Sequence, residues 1–144
     1  MRTKNIRLFC YIGTLLVISL LAAACGGTES DSSSSNGVAI GDPGRGESLY
    51  NQTVIGAGSA PGCITCHSLE ESVNLVGPSH AGLGAKAGDI VPGKTAEEYL
   101  KDSIVDTDRH LTEGFTKGVM YPNYGNELSV QEIADLVAFL ATLN

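Results

Sequence analysis

One run of five residues restricts this chain more than any other feature: Cys63-Ile64-Thr65-Cys66-His67. Two thiols separated by two residues, with an imidazole directly after the second, form the attachment pattern for c-type haem. The requirement is geometric. One helical turn brings both sulfurs to the vinyl-derived carbons at the edge of the macrocycle, and the next side chain swings its imidazole under the iron. A thioredoxin-like dithiol would need a βαβ context, and no stretch of the chain shows convincing strand alternation. A zinc site finds Cys66 and His80 separated by 13 residues, inside the zinc-finger range, but the next histidine is His110, far too late for a fourth ligand. A structural disulfide between Cys63 and Cys66 suits an oxidising compartment and leaves His67 unexplained. The motif occurs once, so one covalently bound haem is expected.

An iron held by one histidine leaves its opposite face to be filled. Beyond the initiator the chain has one methionine, Met120, in Gly118-Val119-Met120-Tyr121-Pro122-Asn123-Tyr124-Gly125. A turn-rich loop with proline and aromatics can hold a thioether over a haem without burying polar backbone against it. Met120 is the expected sixth ligand; the alternatives are that it fills an ordinary core gap, or that His80 or His110 takes the position instead.

The N-terminus sets the compartment. Arg2, Lys4 and Arg7 precede an uncharged apolar run from Leu8 to Ala24. As a helix that run would span about 26 Å, short of the roughly 30 Å hydrocarbon core, so residues 1–24 read as a signal peptide. With Ala22-Ala23-Ala24 before Cys25, the segment resembles a bacterial lipoprotein signal, which is cut before a cysteine bearing a diacylglyceryl group. The branched residue usual three places before that cysteine is replaced by Ala22, with Leu21 one place further back. An uncleaved membrane anchor and plain secretion are the alternatives, and all three export the domain. Residues 25–41, Ser- and Gly-rich after Cys25, lack apolar periodicity and read as a flexible tether reaching roughly 20 Å for about a dozen residues.

The folded domain is expected over 42–144. Asp42-Pro43 looks like an N-cap followed by proline at the first helical position, leading a short helix through Tyr50. Thr95 with Glu98, and Ser129 with Glu132, have capping-box spacing and open two further helices. Their apolar stripes are Tyr99, Leu100 and Ile104, then Ile133, Leu136, Val137 and Leu140, with Leu128 placed to staple onto Ile133. The remainder is glycine-rich, which predicts a small all-α domain held around something other than side chains. The chain carries 9 basic against 16 acidic residues, and losing residues 1–24 deepens the net charge from -7 to -10. Nucleic-acid phosphates would repel such a domain.

In the order of these parts, residues 42–144 resemble a class I cytochrome c: N-terminal helix, Cys63-Ile64-Thr65-Cys66-His67, Val76-Gly77-Pro78, a middle helix, the Met120 loop and a C-terminal amphipathic helix. The resemblance implies that Gly46 and Tyr50 cross the last helix near Leu136 and Phe139. It implies that the Pro78 carbonyl accepts a hydrogen bond from the His67 nitrogen remote from the iron. Tyr121 stands where the family often has proline, and Tyr121 and Tyr124 are candidates for the haem environment. The implied role is a one-electron carrier, not an enzyme, shuttling between membrane respiratory or photosynthetic complexes on the periplasmic face of a bacterial cytoplasmic membrane, tethered by lipid on Cys25 or by the N-terminal helix. Neutral sulfur ligation and burial of the macrocycle favour ferrous iron and a comparatively high potential. Its partners are redox proteins rather than nucleic acid or a small-molecule substrate. The same sequence permits a fixed haem subunit of an oxidase or dehydrogenase, or a haem sensor or peroxidase-like enzyme with displaceable Met120. Only six basic residues follow Asp42, so docking is expected through a neutral, apolar rim or against a basic partner face.

Overall fold

The computed structural model describes residues 39–58 and 60–144. The expected leader over 1–24, the lipid-bearing Cys25 and the tether as far as residue 38 lie outside the described residues. Among the described residues no helix is long and apolar enough to cross a membrane.

Helix α1 spans Pro43–Tyr50, and the Asp42 carboxylate caps it by accepting the Arg45 amide at 2.8 Å. Helix α3, Ala96–Val105, and helix α5, Val130–Ala141, both open on complete capping boxes, Thr95 with Glu98 and Ser129 with Glu132. In each box the hydroxyl and the glutamate satisfy donors that the first helical turn cannot. Helix α4 is one turn, Tyr124–Glu127.

Helix α2, Leu83–Ile90, falls in the glycine-rich remainder, where the sequence marks no helix. Its N-cap is Gly82 in the left-handed region, with no side-chain cap, and Gly84 and Gly88 lie inside it. The usual start and stop signals are therefore missing, although Leu83, Ala87 and Ile90 recur at helical spacing. The all-α expectation holds apart from one antiparallel pair, β1 (Val54–Ile55) on β2 (Ala60–Pro61), too short to show alternation.

The core forms where α1 crosses α5. Gly46 packs so closely there that a Cβ would lie 2.0 Å from the Asp135 carbonyl oxygen and 2.8 Å from the Phe139 Cβ. Only glycine allows that approach. The crossing near Leu136 and Phe139 that the resemblance implied is present, with Gly46 set against the Asp135 carbonyl and Phe139. One turn on, the Tyr50 ring is fully buried and meets Phe139 with centroids 5.2 Å apart. Leu49, Leu100, Ile104, Leu136 and Leu140 belong to the same core. Asp135 is a buried carboxylate in the otherwise apolar stripe of α5. It accepts Arg45 Nε at 2.8 Å, Arg45 Nη2 at 2.9 Å, the Asp42 amide at 2.7 Å and Gln131 Nε2 at 2.8 Å.

Candidate functional site

The attachment motif forms a short 3-10 turn, Cys63–Thr65, entered from Gly62. The amides of Cys66 and His67 both bond the Cys63 carbonyl, at 3.1 and 2.9 Å. This turn brings the side chains of Cys63, Cys66 and His67 to one cavity of about 600 Å³. Both thiols are free and partly buried. Burial pushes the Cys63 thiol up to about 11.

Two contacts fix the His67 imidazole. Its Nδ1 lies 2.8 Å from the Pro78 carbonyl oxygen, which accepts a hydrogen bond from that nitrogen and leaves Nε2 unprotonated and able to coordinate a metal. Burial lowers the pKa of His67, and the Pro78 bond opposes this. The second contact is His80, whose ring stacks on His67 with centroids 4.0 Å apart and planes 18° apart. Gly77 is tied to the motif by its amide, 2.9 Å from the Cys66 carbonyl, and a Cβ on it would lie 2.4 Å from His67 Cε1. Glycine is required there by the closeness of the ring.

Met120 lines the same cavity from the segment before α4, with Val119, Tyr121 and Pro122. The loop that carries it is pinned where Asp108 Oδ1 accepts the Gly118 amide at 2.8 Å. On the other side the Tyr121 hydroxyl bonds the Glu127 carboxylate, and Tyr121 packs edge-on against Tyr124 at 5.2 Å. Tyr124 donates its hydroxyl to the Pro61 carbonyl at 2.6 Å, joining the loop to the strand that precedes the motif. Burial raises the Tyr124 pKa, so the hydroxyl stays protonated as that bond requires. Apolar side chains from α2, α3 and α5 also line it, among them Leu83, Leu100, Ile104, Leu136 and Leu140.

The two histidine rivals of Met120 part here. His80 lies against His67, so both belong to the same side of the cavity. His110 packs on Tyr99 at 5.5 Å and sits 3.6 Å from the Asp102 carboxylate, outside the cavity lining. The stack of His80 on His67 was not legible in the sequence, because 12 residues of loop separate them.

A family model described as cytochrome c matches residues 44–144. This chain belongs to the cytochrome c family. Cytochrome c2 iso-2 of Magnetospirillum fulvum is 34% identical over 84 residues, which cover 56% of this chain and 88% of that relative. Cytochrome c2 iso-2 of Magnetospirillum molischianum is 40% identical over 52 residues, 35% of this chain and 54% of that relative. This cytochrome c is a mono-haem, class I electron carrier with one covalently bound haem c. Its residues fit that group: a largely apolar cavity, in the range of cofactor sites, is lined by both motif thiols, an oriented imidazole and a thioether.

Proposed function

We propose that this cytochrome c carries electrons one at a time outside a bacterial cytoplasmic membrane, between membrane-bound respiratory or photosynthetic complexes. In this reading Cys63 and Cys66 would hold the haem through thioethers, and His67 and Met120 would supply the ligands to its iron. The observation that carries the reading is the convergence of these four side chains on one cavity, with Pro78 already directing the His67 ring.

When bound, the haem supplies a one-electron iron couple and nothing else is asked of it. The chain does the rest. Pro78 holds the proton of Nδ1 and leaves Nε2 to donate, raising its donor strength. Asp108, through the Gly118 amide, braces the Met120 segment at one end, and Tyr121 and Tyr124 brace it at the other. The apolar wall excludes water, which disfavours the more charged ferric state. Ligands supplied by the protein on both faces leave no position for oxygen, peroxide or a substrate, so the domain catalyses no reaction of its own.

Export follows from the apolar run ending at Ala24, and retention at the membrane from a lipid on Cys25. No lysine or arginine occurs between Arg45 and Lys86, the span that holds the motif, while Glu70 and Glu71 follow it. Leu69, Val73 and Leu75 are exposed in the same loop. Such a face suits a partner that is apolar or basic at its contact.

The test is a visible spectrum of the purified protein in both oxidation states, with an alkaline pyridine assay for thioether-linked porphyrin. The expected result is a low-spin spectrum with the weak long-wavelength sulfur-to-iron band in the ferric form, and no carbon monoxide binding when reduced. Colourless protein matured in a host competent for haem attachment would overturn the reading.

A further inference from the structure

We propose that His80, held by the buried hydroxyl of Tyr50, is a positioning residue that fixes the plane of the His67 imidazole. The proposal rests on the reading above that His67 ligates the iron.

One hydrogen bond does not define a ring plane. The contact from His67 Nδ1 to the Pro78 carbonyl, 2.8 Å long, pins one nitrogen but leaves the imidazole free to rock about the line joining the two atoms. Gly77 crowds the ring from the Cε1 side, and what sets its plane is a surface lying flat against its face. His80 is that surface, its ring 4.0 Å from His67 and 18° from parallel. Its backbone is anchored beside the ligand, since the His80 amide donates to the Ser68 carbonyl at 2.8 Å.

His80 is in turn held through its own ring. Tyr50 places its hydroxyl 3.2 Å from His80 Nδ1, closer than the 3.5 Å to the other acceptor nearby, the His67 carbonyl. In the tautomer that carries its proton on Nε2, His80 Nδ1 accepts the Tyr50 hydroxyl. Tyr50 itself is fully buried and wedged on Phe139. A continuous packed path therefore runs from Phe139 on the last helix through Tyr50 and His80 to His67. An aliphatic side chain at position 80 would fill the same space, yet it would have neither a flat face for His67 nor a nitrogen for Tyr50.

The ferric holoprotein reports this directly, because the order and spread of the haem-methyl proton resonances follow the orientation of the axial imidazole plane. The variants are His80→Leu, Tyr50→Phe and the pair combined. His80→Leu is expected to reorder the methyl resonances, and Tyr50→Phe to shift them in the same direction by less. Adding Tyr50→Phe to His80→Leu should change nothing further, since the hydroxyl then has no ring to hold. A wild-type methyl order in His80→Leu overturns the proposal, as does a Tyr50→Phe shift that persists undiminished in the His80→Leu background. If His80→Leu fails to mature with haem, Tyr50→Phe alone decides: it deletes one oxygen, and an unchanged pattern overturns the proposal. A purely space-filling role would lower the unfolding temperature without moving the methyl order. Loss of the ligand reading looks different, because the unaltered protein would then lack a low-spin, histidine-ligated spectrum.

Discussion

Arg45 and Asp135, 90 positions apart, join the first helix to the last through two parallel hydrogen bonds of 2.8 and 2.9 Å. This fork lies beside the Gly46 crossing, and the same carboxylate also accepts the Asp42 amide ahead of α1. The buried acid thus fixes the angle at which the two terminal helices meet. Asp135→Ala is expected to destabilise the holoprotein by about 2 kcal/mol, the range for lost hydrogen bonds to a charged group. Thermal unfolding checks this, and an unchanged midpoint would contradict it.

The same residue predicts a pH dependence. Burial pushes the Asp135 carboxyl up, but the bonds from Arg45, the Asp42 amide and Gln131 outweigh it and hold the group below its ordinary 3.8. A folded value below the unfolded one contributes stability that is complete above 3.8 and is lost as pH falls through the folded value. Denaturant unfolding below pH 4 should therefore show a loss in the wild type that is smaller in Asp135→Ala.

Gly77→Ala tests the seat of His67. The new Cβ would stand 2.4 Å from Cε1 and 2.8 Å from Nδ1, so the ring must move off the Pro78 carbonyl. The expected outcome is a lower haem content per chain and a shifted potential in what matures, read by absorbance and by redox titration. Wild-type values for both would show that the ring has room the structure does not give it.

Met120→Ala is expected to open the sixth position. The reduced variant should bind carbon monoxide, and its potential should fall by on the order of 100 mV, a fraction of the roughly 0.8 V that axial ligands span. A potential that hardly moves would exclude Met120 as the ligand.

Cys25→Ser addresses the tether. Haem incorporation should be untouched while the domain moves from the membrane fraction to the soluble one. Persistence in the membrane fraction would point to an uncleaved N-terminal helix instead.

The parts legible in the sequence are those whose information is local. The motif at 63–67, the cap of α1 and the two capping boxes are each written within a few residues, and the structure contains those caps where the spacing put them. Helix α2 escaped because its signals are tertiary: glycines that read as breakers serve instead as close contacts, Gly84 lying so near Ala141 that a Cβ would be 2.3 Å from its carbonyl oxygen. Asp135 was hidden for the same reason, since an acid in an apolar stripe makes sense only once Arg45 is brought to it.

By itself, then, the order of residues determined the chemistry the domain can hold: two thiols and an imidazole at fixed spacing, followed by one thioether in a later loop. Spacing along a chain specifies which side chains stand next to one another, and haem attachment needs only two thiols and an imidazole so placed. Which nitrogen of His67 stays free, that His80 lies against it rather than across from it, and that Tyr50 reaches both were decided by the fold. Those relations depend on the packing of α1 on α5, and packing is set by surfaces that meet only after the chain has closed on itself.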